Sequence, residues 1–101
     1  MKRGEIRVVG SRVTGRETLA LIVGNDALTD LSGWVITAPI DTSGAAPDLL
    51  VTVPIGGAAA GVVRLDSIAS IRKDRVGRRV DELGQETMDA VDVALRAALD
   101  L

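Results

Sequence analysis

The residues of this chain that could hold a phosphate are mostly arginines. Arg3, Arg7, Arg12 and Arg16 lie near the start, with Arg12 and Arg16 in the polar stretch Gly10-Ser11-Arg12-Val13-Thr14-Gly15-Arg16. A second basic group follows later: Arg72, Lys73, Arg75, Arg78 and Arg79. Guanidinium groups hold phosphates through paired, charge-assisted hydrogen bonds, so these residues offer anion or nucleic-acid binding. Other routes are closed. The 101 residues contain no cysteine and no histidine. That removes thiolate nucleophiles, the commonest general base near neutral pH and the commonest metal ligand. No paired-acid motif stands out among the aspartates and glutamates, so neither a metal nor a cofactor is expected. A reaction carried out by this chain must use Arg, Lys, Asp, Glu, Ser, Thr and backbone groups.

The net charge of −2 hides a strong pattern. Residues 1–24 carry +3, residues 25–60 carry −4, residues 61–80 carry +4 and residues 81–101 carry −5. Alternating blocks of this kind can fold into a basic face on an acidic protein. Arg7 alternates away from Ile6 and Val8 and so faces the other side of its strand. For Arg12 and Arg16 two readings stand: phosphate contacts, or solvated loop charges. The group from Arg72 to Arg79 either extends a nucleic-acid groove or forms a salt-bridged surface with Asp74, Asp81 and Glu82. Trp34 is the one aromatic residue. Single-stranded nucleic acids usually stack on rings, so arginine planes would have to serve here. At a strand start, Trp34 itself reads as partly buried core or a contact with a second copy.

The elements that must position these groups are short. A chain of this length is read as one domain over residues 1–101. No stretch approaches the roughly 20 apolar residues of a membrane span. No apolar segment follows Met1-Lys2-Arg3-Gly4-Glu5, so a cytoplasmic location is expected. Glu5–Val9 alternates with period two, Thr18–Val23 is a continuous apolar run, and Gly24-Asn25-Asp26 carries turn chemistry. Trp34–Ile40, Leu49–Val53 and Val62–Leu65 read as further strands, with Ser67–Ile71 a candidate sixth, and Gly56–Gly61 as a loop between strands. Over 85–99 the period changes: Met88, Val91, Leu95, Ala98 and Leu99 recur at helical spacing. The expected fold is an α+β domain, a small antiparallel sheet or open barrel closed by a C-terminal helix. Hydrophobic residues make up 47% of the chain, more than so small a core readily buries, and a homodimer is expected.

This layout resembles the MazF/PemK family of toxins from bacterial toxin–antitoxin pairs. The resemblance is carried by Lys2-Arg3-Gly4-Glu5-Ile6, Val23-Gly24-Asn25-Asp26 and Val35-Ile36-Thr37-Ala38-Pro39-Ile40. It continues through Leu65-Asp66-Ser67-Ile68, Ile71-Arg72-Lys73-Asp74-Arg75-Val76 and the tail Met88–Arg96 with Leu99-Asp100-Leu101. It runs in order along the whole chain. It implies a small SH3-like antiparallel β-barrel with helices, in the class that also holds CcdB-type gyrase poisons. It implies a homodimer, a cognate MazE-like antitoxin that binds across the dimer groove, and no membrane partner. It also implies metal-independent, sequence-specific cleavage of single-stranded RNA, leaving a 2′,3′-cyclic phosphate and a 5′-hydroxyl.

The family's site uses an Arg at the start of the second strand, usually as Arg-Pro, and a Thr or Ser just after the third. A fixed guanidinium stabilises charge developing on a phosphate, and a hydroxyl donates to it or positions the attacking oxygen. Here the Arg-Pro columns hold Thr18 and Leu19, with Arg16 two residues upstream. A shift of two keeps the strand face and moves the side chain by about 6–7 Å. The hydroxyl column holds Asp41, with Thr42 next. The resemblance therefore names Arg16, Thr42 and Asp41 as candidate catalytic residues, and Arg7, Arg12 and Arg16 as candidate RNA contacts. The alternative is a catalytically weak or inactive member that dimerises and binds an antitoxin. A CcdB-type poison is disfavoured, since such toxins resemble one another in a Trp near the C-terminus and Trp34 lies far upstream.

Overall fold

A computed structural model describes residues 1–10, 15–44 and 50–101. The chain forms strands β1 (Glu5–Gly10) and β2 (Glu17–Ile22), helix α1 (Asp26–Ser32) and strand β3 (Trp34–Asp41). Strands β4 (Thr52–Ile55), β5 (Gly61–Arg64), β6 (Ala69–Arg72) and β7 (Val76–Glu82) follow, and helix α2 (Gln85–Leu99) ends the fold. Single 3₁₀ turns at Gly57–Ala59, Leu65–Ser67 and Lys73–Arg75 separate the last four strands. The strand order is β4-β5-β3-β2-β1-β7, with β6 also paired to β3. Every pairing is antiparallel. No ladder joins β4 to β7 among the described residues, so the curled sheet is an open barrel.

Alternation along the strands sets the two faces of the sheet. Ile6 pairs with Leu21, which pairs with Ala38, and Ile40 pairs with Val63. All five are buried and form the core with Val23, Val53 and Leu65. Helix α2 covers this core with Met88, Val91 and Ala94. The apolar spacing read over 85–99 thus finds its helix, although Leu95 and Ala98 are only partly buried and Leu99 is exposed. β3 serves both halves of the barrel. Its first residues pair with β6, and its last two, Ile40 and Asp41, pair with β5. Gly61 makes that second pairing possible. A Cβ there would lie 2.6 Å from the Asp41 carbonyl oxygen, so only glycine lets β5 approach this closely.

Two elements escaped the sequence reading. Gly24-Asn25-Asp26 reads as a turn, yet Asn25 caps a seven-residue helix. Its Oδ1 accepts from the Ala27 N–H at 2.8 Å and the Leu28 N–H at 3.3 Å. Gly33, in the left-handed region at φ 75°, donates to the Thr29 carbonyl and ends the helix. Asn before the segment and Gly after it was the available signal. The second is β7, which the sequence presents as a run of charges. It pairs with β1 through two register shifts, and these break the apolar alternation that would have revealed it.

Candidate functional site

The outer face of the sheet is built by residues that alternate with the core. Val9 pairs with Thr18 and Ala20 with Pro39, while Thr37 pairs with Ala69 and Val35 with Ile71. Val9, Thr18, Pro39, Ser67, Ala69 and Ile71 line a shallow cleft of about 170 Å³ on this face. Asp41 shares the outer-face parity of Pro39, and Thr42 follows directly after the strand, exposed. The β2–β3 ladder runs from Ile22 opposite Thr37 to Ala20 opposite Pro39 and stops there, two residues short of Thr18 and Asp41. The start of β2 and the end of β3 thus lie toward the same end of the sheet.

Arg16 is exposed at the mouth of β2, one residue before the first strand residue and in step with Thr18 and Ala20. Gly15, at φ 67°, turns the chain into it. Arg12 lies outside the described residues. Arg7 sits on the outer face as its alternation requires, but its guanidinium is occupied. Nε and Nη2 donate to Glu5 Oε1 at 3.2 and 3.1 Å, and Nη1 donates to the Gly77 carbonyl at 2.9 Å. Burial alone would raise the Glu5 carboxyl, but the Lys2 N–H and Arg7 hold it below its ordinary range.

Asp41 is tied to its own turn. Its Oδ1 accepts from the Ser43 hydroxyl at 2.6 Å and from the Ser43 N–H at 2.9 Å. These bonds, aided by the positive charge of Arg64, keep the carboxyl below the usual range and anionic. Arg64 escaped the sequence reading. It lies on β5, where Val63 and Leu65 face the core and Arg64 alternates outward. Its Nε and Nη2 donate to the two oxygens of Asp66 at 3.0 and 2.7 Å. The signal was Arg64 two residues before Asp66. Only the pairing of β5 with β3 brings it to Asp41.

The later basic group is mostly paired. Arg72 lies 3.6 Å from Asp74, Lys73 3.5 Å from Asp30 and Arg79 3.3 Å from Glu82. Arg75 donates from Nε and Nη2 to the Gly10 carbonyl at 3.1 and 3.0 Å, anchoring the end of β1. A larger cleft of about 350 Å³ lies between α1 and β3, lined by Leu28, Leu31, Trp34 and Ile36 among others. No charged side chain lines it, so it is an apolar surface and no place for a phosphate. Trp34 is 48% exposed there, more open than a core position. Among the described residues no group of three or more carboxylates is placed to hold a metal ion. No helix among them is long and apolar enough to cross a membrane.

The chain is thus an open antiparallel barrel capped by a C-terminal helix, with charged groups at the ends of β2, β3 and β5. Solved structures show the same fold. An endoribonuclease in complex with its cognate antitoxin, from a mycobacterial species, superposes with a TM-score of 0.88 at 25% identity, over 100% of this chain and 96% of that one. Mycobacterium tuberculosis toxin MazF-mt6 gives 0.81 at 24% identity, over 96% and 97% of the two chains. A MazE–MazF structure from Deinococcus radiodurans gives 0.84 at 18% identity, over 100% and 96%. No curated protein matches significantly by sequence. The family model for the PemK-like, MazF-like toxin of type II toxin–antitoxin systems matches residues 2–99, and the chain belongs to that family.

Proposed function

We propose that this toxin is an endoribonuclease that cuts single-stranded RNA at the ends of β2 and β3, without a metal. The carrying observation is the antiparallel pairing of β2 with β3, which sets the start of β2, just after Arg16, and the end of β3, just before Thr42, toward the same end of the sheet. The full-length likeness to a mycobacterial endoribonuclease supports it. In this reaction a 2′-hydroxyl attacks the adjacent phosphorus, loses its proton and forms a 2′,3′-cyclic phosphate. The bond to the 5′-oxygen breaks, and that oxygen takes up a proton to leave as a hydroxyl. Arg16 stabilises the charge developing on the phosphate, and the Thr42 hydroxyl positions the reacting group. Arg12 and Arg16 supply phosphate contacts. Arg7, bonded to Glu5 and to the Gly77 carbonyl, contributes by holding β1 and β7 together. The toxin works in the cytoplasm as a homodimer, and a MazE-like antitoxin silences it; similar structures include an endoribonuclease in complex with its cognate antitoxin and a MazE–MazF structure.

The test is cleavage of a long single-stranded RNA of mixed sequence. Arg16→Ala should lower the rate by about 100–1,000-fold, the usual effect of losing a charge-assisted contact to a developing oxyanion. Thr42→Ala should cost less. Undiminished cleavage by Arg16→Ala would remove the proposed site. A second reading has its own observation: the family's Arg and hydroxyl columns hold Thr18 and Asp41, with Asp41 anionic. If neither the wild type nor Asp41→Thr cuts any RNA, the chain is an antitoxin-binding member without catalysis.

A further inference from the structure

We propose that Arg64, oriented by Asp66, anchors the phosphate of the bound RNA at the end of β3. This deepens the proposed function and rests on it. The outer face carries no cation at Thr18, and Asp41 at the end of β3 is negative. A phosphate seated there needs a positive group on the other flank. β5 supplies it. Asp41 pairs with Val62, and Arg64 lies two residues along on the same outward-facing parity. Ser67, in the turn that follows Arg64, lines the outer cleft together with Thr18 and Pro39.

The way Arg64 is held matters as much as its place. A guanidinium presents five N–H donors in a rigid fork. Asp66 takes only the Nε–Nη2 edge, at 3.0 and 2.7 Å. Among the described residues, no hydrogen bond to Nη1 is found, so the Nη1–Nη2 edge keeps donors for a second, bidentate partner. The Arg64 side chain is 27% exposed, so solvent or a phosphate oxygen can reach it. A carboxylate on one edge fixes the plane of the fork and reduces the rotamer freedom lost on binding. Asp66 is in this sense a positioning residue, and Arg64 the group that touches the phosphate. The arrangement moves the anchoring charge from β2 to β5, across β3, and leaves Arg16 on the opposite flank.

The experiment pairs cleavage with direct binding. Arg64→Ala and Arg64→Gln should each lower cleavage by about 100-fold or more. Arg64→Lys should restore only part of it, since an ammonium lacks the fork. Asp66→Asn should raise KM more than it lowers kcat, a split that loss of fold would not produce. Binding is measured with an all-2′-deoxy oligonucleotide, which cannot form the cyclic phosphate. Loss of one phosphate contact should flatten the slope of log affinity on log salt by about 0.7. Circular dichroism melts identify any variant that fails to fold, and Arg64→Gln serves where Arg64→Ala does not. If the wild type cleaves and folded Arg64→Gln cleaves equally well, the Arg64 proposal falls and the endoribonuclease reading stands. If the wild type does not cleave but binds with a slope that Arg64→Gln flattens, the anchor stands and the catalytic reading falls. An unchanged slope in Arg64→Gln, or no binding by the wild type, overturns the anchor.

Discussion

Arg7 grips one oxygen of Glu5 with both Nε and Nη2, at 3.2 and 3.1 Å, and Glu5 is 5% exposed. The same guanidinium reaches across to the Gly77 carbonyl on β7. Without this partner the buried carboxylate would keep, among the described residues, the Lys2 N–H at 2.7 Å, the more distant Arg79 at 3.7 Å and the charge of the N-terminus. Arg7→Ala should therefore destabilise the fold by about 1.5–3 kcal/mol, the range for hydrogen bonds to charged groups. Urea unfolding at neutral pH measures this, and a change below about 0.5 kcal/mol would show Arg7 to be an ordinary surface charge.

The same pair fixes a direction for pH dependence. Glu5 titrates in the folded state below its ordinary value of 4.5. The unfolded chain then binds more protons at mildly acid pH, so the carboxylate's contribution is fully present above that value and is lost as pH falls through the folded value. Glu5→Gln should flatten the acid limb of stability plotted against pH below about 5. An acid limb identical to the wild type would assign the loss to other carboxylates.

Gly61 lets β5 meet the end of β3. Gly61→Ala would place a methyl group 2.6 Å from the Asp41 carbonyl oxygen and 3.1 Å from the Ile40 side chain. Forcing strands apart at such a contact costs about 1–3 kcal/mol. The variant should melt earlier and, because Asp41, Thr42 and Arg64 shift relative to one another, cleave RNA more slowly than its loss of stability explains. Equal activity of the folded fraction would mean that the site does not depend on this junction.

Asn25→Ala isolates α1 from the site. Two N–H groups lose their acceptor, and the expected cost is about 1 kcal/mol. Thermal unfolding should register it while RNA cleavage stays unchanged, because the strands that carry the site pair independently of this cap.

Trp34 reports on the apolar surface shared with Leu28, Leu31 and Ile36. As the one aromatic residue it provides a clean fluorescence signal. Sedimentation at micromolar concentration should give about twice the chain mass of 10.5 kDa. Addition of the antitoxin should leave RNA cleavage blocked, and EDTA should leave it untouched. A monomer at that concentration would refute the homodimer, and inhibition by EDTA would refute the metal-independent reaction.

Some of this protein was written in local sequence. The period of two through Ile6 and Val8, the apolar run into Ile22 and the helical spacing of Met88 and Val91 each fix which side chains face inward, because the backbone geometry of strand and helix leaves little choice. Absence of cysteine and histidine bounded the chemistry without reference to any fold. Other features depended on what packs against what. Asn25 makes a turn or a cap with the same local atoms, and the helix after it decides which. β7 was hidden because two register shifts against β1 break its alternation. Arg7 read as a candidate RNA contact on the outward face, and the structure adds that its guanidinium bonds Glu5, two residues away on the same parity, and the Gly77 carbonyl on β7. The local mark of Arg64 is Asp66 two residues on, and that pair does not point to Asp41. Arg64 is separated from Asp41 by an entire hairpin, and only the antiparallel register of β5 on β3 brings them together. Side-chain identity and periodicity are properties of the chain, whereas neighbours across a sheet are set by long-range pairing, and the candidate site consists of such neighbours.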